Sequence, residues 1–430
     1  MTISDYRLGR RGFLTGMLGM PLLPLVGSFS AVAQDGTLRF FGTGDGKRYQ
    51  PLFEAFGKVS GVKPSFDGVP FPDYQNTVVQ RFRTGNSGID VFQVDPTYVP
   101  TFAKLGILTD LTSAFGEKSK GKLFPSDVQA ANYKGKMLSM PMWESTQLLF
   151  FNKQLLAKAG VETLGVSPDA RMTWDKVIEL AKKVKAAGAE IGFGFEQVDR
   201  YYQLQVLPES LGGGPGVKGD DLLTVDVTND AWIQAGKWYG SIFADGVASR
   251  GRTEQEMRDL FKAGRLAFLV GGPWNIADFD AVGRLDYGVA PHPYFAGGKA
   301  VTPSESWHLG MASDSANSDL ALRFLDYTCL DKEGALASAM KEGNLSANMA
   351  AETEILKGIA QKNPKLPGVD TLIQYELTNT AIRRPRTLGY LQLEELVTRA
   401  WGDIRNGSDA AQTFPQLQSE LERSFKRIKA

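Results

Sequence analysis

The stretch YKGKMLSMPMWESTQLLFFNKQLLAKAG, residues 133–160, decides the fold. Tyr133-Lys134-Gly135-Lys136 carries a central glycine, as a tight turn between two short strands would. Pro141 is expected to break regular structure where it stands. Trp143-Glu144-Ser145 then sets an aromatic ring beside a carboxylate and a hydroxyl. Leu148-Leu149-Phe150-Phe151 is a short, continuous apolar run, which reads as a strand buried on both faces. Asn152 is placed to cap a following helix and Gly160 to end it. A polar and aromatic triplet at the mouth of a buried strand is a place for a ligand; the same residues also suit a core tryptophan with Glu144 on the surface.

The chain in front of this stretch alternates strand and helix. Strands are expected over Leu38–Phe41, Val62–Val69 and Ile89–Val94, with helices from about Tyr49 and from Asp73 between them. The first strand runs into Gly42-Thr43-Gly44-Asp45-Gly46, and the third ends in Asp95-Pro96. Such alternation implies a mostly parallel sheet covered by helices, whose ligands gather at the carboxyl ends of the strands, where Asp45 and Asp95 both stand. Behind the stretch the pattern resumes. Thr173 caps a helix with Val177, Ile178, Ala181 and Val184 on one face, and Ile191–Phe195 is a strand followed by Glu196. Tyr201 and Tyr202 open an apolar segment, and Thr228 begins a helix that holds Trp232 and Trp238. Further strands are expected over Leu266–Val270, Asp286–Ala290 and Trp307–Met311, and mostly helix from Asp319 on, broken between Asn363 and Pro367.

The motifs Tyr133-x-Gly135-Lys136, Asn152-Lys153, Ala159-Gly160, Thr173-Trp174-Asp175, Phe261-Lys262-Ala263-Gly264, Gly272-Pro273-Trp274 and Asp286-Tyr287-Gly288-Val289-Ala290-Pro291 occur in this order. In that order the chain resembles the family 1 extracellular solute-binding proteins, the sugar-capturing components of ABC importers, over nearly everything after Ala33. The resemblance implies an α/β fold of the periplasmic-binding-protein type, with two lobes around a hinged ligand cleft. It implies lobe crossings near Met142, Pro291 and Asp331, so that residues 34–142 and 292–331 form one lobe and residues 143–291 and 332–430 the other. It also implies a sugar ligand, a disaccharide or other small glycoside, with permease subunits in the inner membrane as partners and no cofactor. A monomer is expected.

Charge and composition narrow the alternatives. With 43% hydrophobic and 22% charged residues in 430, the chain can build more than one core. Residues 1–33 contain Arg7, Arg10, Arg11 and Asp5; without them the chain has two more acids than bases, which gives no basic stripe for a nucleic acid. Cys329 is the sole cysteine, so there is neither an internal disulfide nor a cysteine zinc cluster. Arg10-Arg11-Gly12-Phe13-Leu14, a weakly apolar run with Pro21 and Pro24, and Ala31-Val32-Ala33 read as a twin-arginine export signal cleaved after Ala33, which places the mature chain in the periplasm.

Catalytic motifs fail on context. Gly116 to Lys122 nearly spells a phosphate-binding loop, but Leu123 replaces the required hydroxyl residue. Gly214-x-Gly216-x-x-Gly219 follows a Pro-Glu-Ser loop and opens no clear helix. His292 and His308 are the only histidines, and no nucleophile elbow accompanies them. A glycosidase needs only paired carboxylates, so a secreted carbohydrate-active enzyme is the rival reading, and a binder of a non-sugar anion or polyamine a third. Under the resemblance, carboxylates at strand ends accept sugar hydroxyls and aromatic rings stack on pyranose faces. Trp274 matches the family's stacking residue. Trp143 and Glu144 match its acidic position to within one residue, which leaves Ser145 open for that role. Trp307 follows Ser304-Glu305-Ser306, where the family has glycines. The cluster Arg383-Arg384-Pro385-Arg386 reads as a solvated loop or as a source of one arginine for an acidic or sulfonated sugar. The expected ligand contacts are Asp45, Asp95, Trp143, Glu144, Ser145, Glu196, Tyr201, Gly272, Trp274, Trp307 and Arg386; no catalytic residue and no metal ligand is expected.

Overall fold

The strand Leu148–Asn152 is buried along its whole length. Alternation sends its side chains to two different cores. Leu148 and Phe150 join Phe261, Phe279 and Tyr287 on one face, while Leu149 and Phe151 join Phe268, Phe193 and Trp174 on the other. That is why the run shows no polar positions. Asn152 ends the strand and caps the helix Lys153–Lys158, its Oδ1 accepting the Leu155 N–H at 2.9 Å.

The computed structural model describes residues 36–339 and 345–429. The expected export signal and its cleavage site at Ala33 lie outside them. Residues from Gly36 on form one compact unit. Two mixed sheets run through it. The larger has the strand order Leu345–Ser346, Met140–Ser145, Thr302–Met311, Val91–Val94, Arg39–Thr43, Ser65–Val69, with Ala381–Arg383 alongside residues 302–304. The smaller has the order Tyr287–Ala290, Leu148–Asn152, Leu266–Gly271, Ile191–Phe195. Each sheet keeps parallel strands where helices connect them: Arg39–Thr43 with both its neighbours, and Leu266–Gly271 with Ile191–Phe195.

The sheets are not mostly parallel, as the alternation suggested. Thr302–Met311 runs antiparallel to both long neighbours, and Leu148–Asn152 does the same in its own sheet. These are the strands by which the chain enters a sheet from the other one. The first change of sheet falls between Ser145 and Leu148, past the expected Met142, so Trp143, Glu144 and Ser145 belong to the larger sheet. The second falls between Ala290 and Thr302. Residues 332–430 do not keep to one side, because Leu345–Ser346 and Ala381–Arg383 both pair within the larger sheet.

Local signals explain the other differences. Pro141 does not break structure; it lies inside Met140–Ser145, opposite a register shift at Trp307/His308, where a missing N–H is tolerated. Asp73 sits in the first turn of Phe71–Arg83 rather than capping it. Asn229, not Thr228, caps Asp230–Ala244, accepting from the Trp232 N–H. Thr173 caps Trp174–Ala186 as expected, and Trp174, Val177, Ile178, Ala181 and Val184 are buried on one face. No helix among the described residues is long and apolar enough to cross a membrane.

Candidate functional site

A cleft of about 540 Å³ opens between the two sheets at the carboxyl ends of their strands. From the larger sheet come the loop Thr43–Arg48, Phe71 at the start of its helix, Trp143, Ser145 and Trp307. From the smaller sheet come Gln197 and Arg200 after Ile191–Phe195, Glu254, Gln255 and Arg258 on a helix, and Trp274, Asn275, Ala277 and Asp278 after Leu266–Gly271. The loop after the first strand takes its path through Gly44 and Gly46, both at φ near +77 and +76. Gln93 Oε1 anchors its start by accepting the Thr43 N–H at 2.8 Å.

The tryptophans arrive by different routes. Trp143 and Ser145 are two apart on one strand and therefore share its cleft face. Trp307 meets Phe71 edge to face, with ring centroids 6.0 Å apart. Trp274 follows a sharp exit from its strand at Gly272-Pro273. A Cβ on Gly272 would lie 2.0 Å from the Trp274 ring, so glycine is what lets the ring fold back over the backbone.

Glu196 supports this wall from behind. It is fully buried and accepts the Trp274 indole N–H at 3.0 Å, the Asn275 amide at 2.7 Å and an Arg258 N–H at 3.0 Å. Burial, with Glu254 nearby, pushes its carboxyl above the ordinary glutamate range, against the pull of these donors. Asp45 stands at the opposite rim, paired with Lys47 at 2.8 Å, and that hydrogen bond holds its carboxyl below the ordinary aspartate range.

Of the expected contacts, Asp45, Trp143, Ser145, Trp274 and Trp307 line the cleft, and Gly272 and Glu196 shape its wall. Four do not reach it. Glu144 projects from the other face of its strand, where it takes Arg383 at 2.9 Å and Ser304 at 2.5 Å; the alternation that puts Ser145 in the cleft takes Glu144 out of it. Burial and the neighbouring Asp127 push its carboxyl up. Asp95 is buried, caps the turn Pro96–Tyr98 and pairs with Arg384 at 2.8 Å. Tyr201 is buried with its hydroxyl donating to the Pro215 carbonyl. Arg386 donates to the backbone carbonyls of Gln129 and Asn132, and the cluster around it is structural rather than a solvated loop.

Lys47, Arg48, Phe71, Gln197, Arg200, Glu254, Arg258, Asn275 and Asp278 also line the cleft and were not singled out in the sequence. Position relative to strand ends could have found Gln197 and Asn275; nothing in the local pattern marks Arg258, which sits on an ordinary amphipathic helix. His292 and His308 are buried away from the cleft, and burial holds His292 down to about 3 and His308 well below the ordinary range. Among the described residues no group of three metal-ligating side chains comes together.

Residues 42–329 match the family of bacterial extracellular solute-binding proteins, and the chain belongs to that family. A binding protein of Brucella abortus (strain 2308) is 24% identical over 404 residues, 87% of this chain and 93% of its own length. The maltodextrin-binding protein MdxE of Bacillus subtilis (strain 168) is 26% identical over 279 residues, 63% of this chain and 61% of its own. The fold is similar to that of an ABC substrate-binding protein from Listeria monocytogenes in complex with cycloalternan, with a TM-score of 0.79 at 21% identity over 91% of this chain and 99% of that one.

Proposed function

We propose that this chain captures a small glycoside in the cleft and presents it to the permease of an ABC importer, working in the periplasm as a monomer after export by the twin-arginine route and cleavage after Ala33. The observation that carries the reading is the set of rings in one cleft. Trp143, Trp274, Trp307 and Phe71 line it, drawn from both sheets. Sugars offer weakly apolar C–H faces to rings and many hydroxyls to polar rims, and the rim here supplies Asp45, Ser145, Gln197, Asn275 and Asp278. The volume of about 540 Å³ is in the range of small-molecule sites. A sugar held between walls from both sheets would favour a closed arrangement by its differential affinity for it. We place the lobe crossings at residues 146–147 and 291–301, with the strands 302–304 and 381–383 running between the lobes as part of the hinge.

In this reading no bond is broken. Glu144 and Asp95, two of the carboxylates on which a glycosidase reading would draw, are held in buried ion pairs outside the cleft. Family membership and the sugar-binding relatives support capture over catalysis. The test is a thermal-shift screen of the mature chain against mono- and disaccharides, followed by recovery of the bound sugar. A hit must raise the melting temperature by linkage. The sugar should come back chemically unchanged by mass spectrometry after prolonged mixing; a hydrolysed product would establish the enzyme instead.

A further inference from the structure

The cleft walls carry four cations, Lys47, Arg48, Arg200 and Arg258. Three of them already have a carboxylate. Lys47 pairs with Asp45 at 2.8 Å, Arg258 with Glu254 at 2.6 Å and Glu196 at 3.0 Å, and Arg200 with Glu394 at 3.7 Å. Arg48 differs. Its Nη2 donates to the Thr43 carbonyl at 3.2 Å and to the Thr43 hydroxyl, both uncharged, and no carboxylate pairs with it among the described residues. Its guanidinium lies 5.2 Å from the Tyr49 ring centroid and 5.6 Å from that of Trp143. Both rings are buried, at 1% and 4% exposure, so Arg48 rests on fixed platforms. An arginine has five N–H donors, and those on Nε and Nη1 find no acceptor in the protein among the described residues.

We propose that the glycoside bound here carries an anionic substituent (a carboxylate, sulfonate, sulfate or phosphate ester) and that Arg48 is the residue that binds it. The inference rests on the glycoside reading and adds the chemical class. A guanidinium pinned on ring faces and half withdrawn from water has lost part of its hydration, and a ligand that fills the cleft removes more. No carboxylate among the described residues offsets that charge, and an anion on the sugar would supply the counter-charge through charge-assisted hydrogen bonds. Among the described residues Asp278 is an acid on the opposite wall with no cation paired to it, but it does not argue equally for a cationic ligand. It is exposed, and it sits in the first turn of Ile276–Asp280, where an acid is favoured without a partner. It remains available to accept hydroxyls.

The test compares the mature wild-type chain with R48Q and R48K. Sodium sulfate and sodium phosphate are set against sodium chloride at equal ionic strength, with melting temperature and tryptophan fluorescence as readouts. Calorimetry then compares matched sugars: glucose with glucuronate and glucose 6-phosphate, galactose with galacturonate, and each as its methyl glycoside. Sulfate or phosphate should raise the melting temperature of the wild type more than that of R48Q. Among the sugars an anionic member should bind at least tenfold more tightly than its neutral parent; R48Q should lose that preference and R48K keep part of it. An anion response equal in wild type and R48Q overturns the inference. So does a neutral sugar bound as tightly as its anionic counterpart, and that result leaves the glycoside reading standing. An Arg48-dependent anion response with no sugar bound overturns the glycoside reading and keeps the anion site.

Discussion

The indole N–H of Trp274 donates to Glu196 at 3.0 Å, so the ring that faces the cleft is fixed by a carboxylate buried behind it. Glu196 stands directly after one strand of the smaller sheet and Trp274 shortly after its parallel neighbour. Their pairing joins two strand ends and sets the orientation of the cleft wall. The same carboxylate holds Asn275 and Arg258, so one buried acid positions three side chains that line the cleft.

Removing that acid takes an acceptor from Trp274, Asn275, Arg258 and the Gly272 N–H at once. Glu196→Ala is expected to destabilise the unliganded chain by about 2 kcal/mol, because the Trp274 indole N–H loses its acceptor while Arg258 keeps Glu254. Glu196→Gln keeps the volume and an acceptor for Trp274 and should cost less than half as much. Urea denaturation measures both. Ligand affinity should fall in Glu196→Ala even where the fold persists, since Trp274 loses its orientation, and should fall less in Glu196→Gln. A Glu196→Ala chain as stable as the wild type would show that the pairing contributes nothing.

Gly272 offers a cleaner perturbation of the same ring. Its φ of −91 is open to any residue, so an alanine there meets no backbone strain. Its methyl would lie 2.0 to 2.2 Å from three atoms of the Trp274 ring, which must swing away. The ring is only half-buried and borders solvent, so the movement is cheap for folding. Gly272→Ala should lower unliganded stability by about 1 kcal/mol or less and weaken ligand binding about tenfold or more. Unchanged affinity, measured by calorimetry, would place the ring outside the ligand's reach.

How far the sequence carried depends on which interaction decides each residue. The buried strand Leu148–Asn152 and its capped helix were legible because continuous apolar character and an N-cap are local signals. The ring of tryptophans was legible through Gly272-Pro273-Trp274 and the family motif order. Glu144 was misplaced for a reason the sequence does contain. Trp143 and Ser145 share a parity on an extended strand, and Glu144 cannot join them. Asp95 and Arg386 were not separable from ligand contacts in sequence, because their partners, Arg384 and the carbonyls of Gln129 and Asn132, are distant in the chain. The changes of sheet were blurred because strands that arrive from the other sheet, such as Thr302–Met311, look like any other strand. Their length reveals nothing of the sheet from which they arrive.

A buried acidic cluster next to the larger sheet predicts a pH response. Asp127 and Glu144 share the Arg383 guanidinium, and Glu352 lies close enough to Asp127 to feel its charge. Burial and Asp127 raise the Glu352 carboxyl to about 7, and Glu144 moves in the same direction. An acid whose folded value exceeds its unfolded value binds more protons when folded. Its stabilising contribution is complete below the unfolded value near 4.5 and is lost as pH rises to about 7. Buried His292 and His308 act oppositely, since their lowered values favour the folded state as pH rises toward 6.5. The difference between wild type and Glu352→Gln isolates the acid. The variant should gain stability relative to wild type between about pH 4.5 and 7 and hold that gain above. A flat difference across that range, from melting temperatures in one buffer series, would contradict the assignment.

Trp274 itself separates a cleft residue from a core residue. Its ring forms one wall from the smaller sheet, and Asp45 and Trp143 stand on the wall from the larger one. A sugar between them touches both, so the ligand's hold on the closed arrangement passes through this ring. Trp274→Ala removes stacking and buried area together, a loss on the order of 2–4 kcal/mol, or roughly 30- to 1,000-fold in affinity. Folding should suffer less. The side chain is half-buried and borders an open cleft, and its loss leaves Glu196 with Asn275 and Arg258 still in place. The variant should keep most of its unliganded melting temperature, bind sugar weakly by calorimetry, and fail to compact in small-angle scattering when ligand is added. Strong unliganded destabilisation with undiminished affinity would mean that the ring serves the core and that the ligand sits elsewhere.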